Sequence, residues 1–270
     1  MKLSFIGAGN LSEAIIRGLI SLENSHASDI TIFDISPSQY EKYNDLSVNR
    51  THDLKEAVYD NEIVFLMVKP NNFAQLLSDI KNFDMDLSGK IFVSPAAAIS
   101  INFMQKHIGQ KIAIVRTMPN TSISIGKGMT ALCRSDNVSD IDFTKVCEIF
   151  KSCGEIIVLP EGRMNDIIAV NGSSPAYVYL FADAMLKGAK ELGFDEGEIY
   201  SVILQSLSGA FDMLIKSGKT PRELIKAVAS PNGTTEKALE SFANDGFEDI
   251  IVKAMIACAN RAEEIARDNK

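Results

Sequence analysis

Apolar and polar positions change rhythm once along this chain of 270 residues. From Met1 to about Pro160, short β-branched runs alternate with stretches whose apolar positions recur every three or four residues, the pattern of a parallel sheet wound with helices. The runs predict strands at Leu3–Ile6, Ile30–Asp34, Ile63–Val68, Ile91–Val93, Ile112–Val115, Met129–Leu132 and Glu155–Val158. Helices are expected to start near Leu11, Pro37, Leu54, Asn71, Ile101 and Ser139. After Pro160-Glu161-Gly162 the strand pattern stops and helix follows helix. The fold class is therefore α/β, a doubly wound parallel sheet followed by an all-α C-terminal domain, with the division at residues 1–162 and 163–270.

In the second half, Pro175–Leu186 carries Asp183 as its one charge and is apolar all round. It is too short to span a bilayer, and a central Asp is costly there. A helix apolar on every side must be buried on every side. That leaves a central core helix or burial between two subunits, and a small helical domain rarely encloses a helix completely, which favours the second. Phe247, Ile250, Ile251, Ala254, Met255 and Cys258 recur at helical spacing and read as core or interface.

Composition narrows the function classes. A hydrophobic content of 46% with 23% charged residues fits a folded protein with a sizeable core. A net charge of -8, without a basic run, argues against sequence-independent binding of nucleic acid. The first apolar run is too short for a secretion signal and no small-residue cleavage site follows, so a cytoplasmic location is expected. The four cysteines lack C-x-x-C spacing and read as reduced thiols, and His26, His52 and His107 lack ligand spacing, so no metal is expected. Chemistry in the second half must then use hydroxyls, amides, Lys or carboxylates.

Two motifs carry that chemistry. The first strand runs into Gly7-Ala8-Gly9-Asn10-Leu11-Ser12 and then an apolar-periodic helix. In this strand-to-helix setting the pattern indicates dinucleotide binding: Gly7 for the tight turn, Gly9 for backbone approach to a pyrophosphate, a small residue for close packing. Asp34 ends the second strand, where an acid meets the adenosine ribose. With no basic residue before Lys42, it favours NADH over NADPH, although Ser36 and Ser38 can meet a phosphate as neutral donors. Val68-Lys69-Pro70-Asn71 and the turn containing Ala96 and Ala97 follow later strands and should line the crevice at the strands' carboxyl ends. Arg116-Thr117-Met118-Pro119-Asn120-Thr121 is expected to add donors to the same face.

The second motif is Ser230-Pro231-Asn232-Gly233-Thr234-Thr235, hydroxyls and a turn feeding a helix. It suits an ordinary helix cap, and equally a seat for a small anion, because the first helical turn leaves N–H groups unpaired.

Together, Gly7-Ala8-Gly9-Asn10, Val68-Lys69-Pro70, Met118-Pro119-Asn120-Thr121, Gly172-Ser173-Ser174-Pro175-Ala176-Tyr177 and Ser230–Thr235 resemble, in order and spacing, the pyrroline-5-carboxylate reductases of proline biosynthesis. The resemblance runs from residue 3 to about 265. It implies reduction of 1-pyrroline-5-carboxylate to L-proline with NADPH or NADH, and a Rossmann domain joined to helices that interlock two subunits, with higher homo-oligomers in many members. Departures are Asn232 and Ala98 where the family has Gly, Pro95, and Leu224-Ile225-Lys226 in place of L-K-D. Asn tolerates a left-handed turn, and Ala98 is expected to narrow the cofactor face by one methyl.

On that resemblance Ser230 and the amides of Gly233, Thr234 and Thr235, with Asn232 shaping the turn, hold the substrate carboxylate, and the Thr235 hydroxyl meets the ring nitrogen. A Thr234 cap would meet Lys237 three residues on, and a Thr235 cap Ala238, so neither completes a capping box and donors stay open for a ligand. Val170, Gly172, Pro175 and Ala176 are expected on the nicotinamide side. The rivals are another imine or hydroxyacid oxidoreductase, and a non-catalytic nucleotide-binding paralogue.

Overall fold

The computed structural model describes residues 1–22 and 26–268. In chain order it contains β1 (Leu3–Ile6), α1 (Asn10–Ile20), β2 (Ile30–Phe33), β3 (Asn49–Thr51), α2 (Leu54–Tyr59), β4 (Ile63–Leu66), α3 (Phe73–Asn82), β5 (Ile91–Ser94) and α4 (Ile101–Ile108). Then follow β6 (Ala113–Pro119), β7 (Gly128–Arg134), α5 (Asp140–Lys151), β8 (Gly154–Val158), α6 (Ser174–Glu191), α7 (Glu196–Lys216), α8 (Pro221–Val228), α9 (Thr234–Asn244) and α10 (Phe247–Asp268). The described residues contain no helix long and apolar enough to cross a membrane.

The strands form one sheet in the order β3-β2-β1-β4-β5-β6-β7-β8. It departs from the expected all-parallel arrangement at β7, which pairs antiparallel to β6. The reason is the connection: a parallel crossover needs a dozen or more residues, and only a short turn centred on Thr121–Ile125 joins these two strands. β3 escaped the sequence pattern because it is short and polar at an edge; its Thr51 carbonyl accepts from the Tyr40 hydroxyl at 2.8 Å. Chain order reverses at β1, with β2 on one side and β4 on the other, which opens the ligand crevice beyond their carboxyl ends.

Alternation along the strands explains the two cores. Phe5 and Phe65 point to one face, stacked at 4.3 Å, with Ile15, Ile16 and Phe150 around them. Their neighbours Ile6 and Leu66 point to the other face, among Phe73, Leu77 and Met104. Both faces are covered, as a parallel sheet requires.

Packing separates Met1–Ser173, together with the chain from Cys258 onward, from a second unit at Ser174–Ala257. Strands end at Val158, ahead of the change of pattern at residue 162, whereas packing carries the first unit through Ser173. In the second unit the local signals are strong: Asp195 caps α7, and Thr220 and Glu223 form a capping box on α8 behind Pro221. Its packing is another matter, since Ile203 alone is buried between residues 174 and 257. α6, the helix expected to be buried all round, has no buried residue, and Tyr179 and Leu180 are 64% and 69% exposed. A central core helix within one chain is therefore excluded.

Candidate active site

In the first unit, β1 delivers its last residue into a turn whose geometry only glycine allows. Gly7 has φ +105, and a Cβ there would sit 2.6 Å from the Met67 carbonyl oxygen. The Gly7 N–H donates to the Phe33 carbonyl at 2.7 Å, tying the loop to β2. Gly9 differs: a Cβ would meet nothing within 4 Å, so its bare backbone faces open space. Gly9 is also the N-cap of α1 and supplies no side-chain cap, so the N–H groups of Asn10, Leu11 and Ser12 have no acceptor among the described residues. Open donors at a helix N-terminus beside unobstructed backbone fit a pyrophosphate. Ser12, in the place of a third glycine, is buried and donates to the Gly7 carbonyl at 2.5 Å, closing the loop from inside.

Asp34 lies beside this loop, and both its oxygens are engaged. One accepts from the Ala8 N–H at 2.7 Å and the other from the Ser36 N–H at 2.8 Å. The Ser36 and Ser38 hydroxyls are 3.0 Å apart, and Lys42 donates to the Asn10 side chain at 2.5 Å. The acid at the strand end thus builds the loop, and hydroxyls and an ammonium group stand around it.

The later turns place the remaining candidates. Val68 and Pro70 are half-buried and Lys69 is exposed, where a 3-10 turn at Pro70–Asn72 leads into α3. Ala96 is buried and Ala97 half-buried. Ala98 corrects an expectation: its side chain is buried, so its methyl does not narrow an open face, and the cost lies in the backbone, at φ +63.

Arg116 and Thr117 are a second correction. β6 runs on through Pro119, so these side chains point into the protein as strand residues and not from a loop. Arg116, 2% exposed, donates to Asn165 at 2.6 Å and lies 3.7 Å from Glu161; burial pushes its pKa below the usual guanidinium value. Asn165 in turn donates to Glu263 at 2.7 Å. Burial likewise pushes the thiol of Cys133, paired with Arg116 across the strands, up to about 12, so it is no nucleophile at neutral pH.

Asn171 was missed in the sequence pattern. It sits in a π-helical turn at Ile168–Gly172, buried, and donates to the carbonyls of Met118 and Met129 at 2.8 and 2.9 Å. Its own oxygen accepts from Asn120 at 2.9 Å, so the Met118-Pro119-Asn120 end of β6 is pinned by one amide. A polar residue closing the run Ile167-Ile168-Ala169-Val170 was the available signal. Val170 beside it is 55% exposed.

In the second unit, Ser230–Gly233 is a turn that opens α9. The Gly233 N–H donates to the Ser230 carbonyl at 3.0 Å, and Asn232 takes the left-handed conformation at φ +58. A Cβ on Gly233 would lie 2.6 Å from the Ser230 Oγ and 2.9 Å from its carbonyl oxygen. Two expectations change here. The Gly233 N–H is committed to the turn and cannot hold an anion. The N-cap is Gly233, one residue before Thr234 and two before Thr235, which brings Glu236 to the third helical position. Its carboxylate accepts from the Asn232 N–H at 2.6 Å. The N–H groups of Thr234 and Thr235 have no acceptor among the described residues.

The chain is similar to known proteins over nearly its whole length. Residues 161–265 match the family model described as pyrroline-5-carboxylate reductase dimerisation, and residues 2–98 match one described as NADP oxidoreductase coenzyme F420-dependent. Pyrroline-5-carboxylate reductase 2 of Bacillus subtilis is 33% identical, over 98% of this chain and 95% of its own. The Escherichia coli pyrroline-5-carboxylate reductase is 31% identical, over 98% of each chain. The solved pyrroline carboxylate reductase of Plasmodium falciparum, with NADP bound, superposes with a TM-score of 0.88 at 26% identity over 98% of both chains. A 3-hydroxyisobutyrate dehydrogenase of Mycobacterium tuberculosis, at 13% identity and a TM-score of 0.52 over 99% of this chain and 94% of its own, shares the fold alone.

Proposed function

We propose a residue-level account of one reaction, from the premise that this chain belongs to the pyrroline-5-carboxylate reductase family and reduces 1-pyrroline-5-carboxylate to L-proline with a nicotinamide dinucleotide. When bound, the dinucleotide supplies the hydride that adds to the imine carbon. A protonated ring imine already carries its nitrogen proton, so the protein's task is to bind and orient it. The open N–H groups of Thr234 and Thr235 receive the substrate carboxylate, with the Ser230 hydroxyl as a third donor. Gly233 contributes the absence of a side chain, and Asn232 the left-handed bend. The Thr235 hydroxyl accepts from the ring N–H and fixes which atom faces the hydride.

On the dinucleotide, Asn10 and Leu11 hold the pyrophosphate through their N–H groups, across the bare backbone of Gly9, with Gly7 and Ala8 shaping the turn. Val68-Lys69-Pro70, Ala96-Ala97 and Met118-Pro119-Asn120 line the nicotinamide half. We infer NADPH over NADH, reversing the expectation from Asp34, because that acid's oxygens already accept two N–H groups while Ser36, Ser38 and Lys42 supply donors. The NADP in the Plasmodium falciparum relative supports this. Residues 163–270 serve as the substrate-binding and dimerisation region, giving a homodimer or larger homo-oligomer through exposed helical faces, and the enzyme works in the cytoplasm.

The observation that carries the substrate reading is the uncapped start of α9 within Ser230–Thr235. Thr235→Ala tests it: kcat is expected to fall about a hundredfold or more. Dinucleotide affinity, followed by NADPH fluorescence, stays at the wild-type value. Turnover near wild type would remove Thr235 from the mechanism.

A further inference from the structure

The turn that opens α9 is held from two sides. From the chain before it, the Ser230 carbonyl accepts the Gly233 N–H at 3.0 Å. From the helix after it, Glu236 reaches back one turn and accepts the Asn232 N–H at 2.6 Å. Between these two bonds lies Asn232 at φ +58, a conformation that costs any residue with a side chain something and that Asn tolerates best after Gly. Glu236 is the third residue of α9, where a carboxylate is favoured by the helix dipole. It is half-buried and its neighbour Lys237 is occupied with Glu240 at 2.6 Å, so the bond to Asn232 has no nearby cationic competitor on the helix.

We propose that Glu236 is a positioning residue for substrate carboxylate capture: by accepting the Asn232 N–H, its carboxylate holds the left-handed turn that sets Ser230 over Gly233 and leaves the Thr234 and Thr235 N–H groups open. This rests on the assignment of that turn as the carboxylate seat. The tolerance is narrow, because Ser230 Oγ would stand 2.6 Å from a Cβ on Gly233 and relaxation of the turn moves the hydroxyl off the seat. Glu236 touches neither reacting atom, so its loss acts on capture and not on hydride transfer. The bond needs an acceptor oxygen at the end of a three-carbon side chain and not a charge, so glutamine serves in its place.

The experiment compares E236A, E236Q and S230A by steady-state kinetics with pyrroline-5-carboxylate and by calorimetric titration of L-proline. Thermal unfolding checks that each variant folds; alanine is a good helix former, which offsets part of what α9 loses with its first-turn carboxylate. E236A is expected to raise KM, and to weaken L-proline binding, by about tenfold, the loss of one hydrogen bond, with kcat within about twofold of wild type. E236Q recovers most of that loss. If S230A raises KM while E236A leaves it unchanged, Glu236 has no positioning role and the seat stands. If E236Q is as impaired as E236A, charge and not the hydrogen bond is at work, and the proposal fails. If neither S230A nor E236A alters KM or L-proline binding, the seat itself is misassigned.

Discussion

The two units of this chain solve the same physical problem differently. In the first, β1, β4 and β5 are buried at every position, and two apolar clusters close on either face of the sheet. In the second, four whole helices and part of a fifth carry long apolar faces, and α7 and α8 are well capped, yet Ile203 is the one buried side chain. Leu180, Leu192, Ile215 and Val228 are each at least 69% exposed. Apolar surface in water is unfavourable by about 25 cal/mol per Å², so helices of this composition are stable only when something covers them. The first unit thus completes its dinucleotide loop within its own packing, whereas the second leaves its apolar helical faces uncovered, as the proposed homo-oligomer requires.

The largest test of that contrast places a charge on each surface. Leu180→Asp on α6 is expected to dissociate the oligomer and abolish activity, because a carboxylate buried in an apolar interface costs several kcal/mol. Ile141→Asp, equally exposed at 73% but on the first unit, should leave both unchanged. Sedimentation velocity and rate measurements read the outcome, and an intact oligomer with Leu180→Asp would break the comparison.

Within the first unit, the two glycines of the loop separate fold from ligand. Gly9→Ala is expected to keep the wild-type melting temperature, since nothing lies within 4 Å of the new methyl, while weakening NADPH binding at least tenfold (about 1.4 kcal/mol) by blocking backbone approach. Equal affinity would place the pyrophosphate elsewhere. A smaller effect follows from Asp34→Asn: an amide cannot accept both N–H groups, so NADH and NADPH should weaken together, by about five- to tenfold. A large change in their ratio would return Asp34 to ribose recognition. The smallest effect is at Ala98→Gly, which should stabilise the protein by about 1 kcal/mol through relief of the left-handed alanine, read as a melting temperature raised by a few degrees.

Much of the molecule was legible before any coordinates. The dinucleotide loop was recognisable because its chemistry is local: a strand, three small residues and a helix, all within the first 20 positions. The Ser230–Thr235 turn was recognisable for the same reason. β3 was not, because a three-residue polar strand takes its identity from the pairing that β2 offers. Arg116 resembled a loop donor until the antiparallel β7 extended β6 and turned it inward. Asn171 was invisible as a clamp because its partners, Met118 and Met129, lie some forty to fifty positions away, at 53 and 42 residues' separation.

Local pattern was enough to establish the alternation of strands and helices apart from β3, the dinucleotide motif and the family, since hydrophobic period and turn chemistry act over a few residues. Three-dimensional packing decided which polar groups were already spent. It committed Asp34 to the loop, the Gly233 N–H to its turn and Glu236 to Asn232. A hydrogen-bond donor or acceptor has few places to bind, and which of them stays open for a ligand depends on every neighbour the fold brings within 3 Å, a distance that no spacing along the chain encodes.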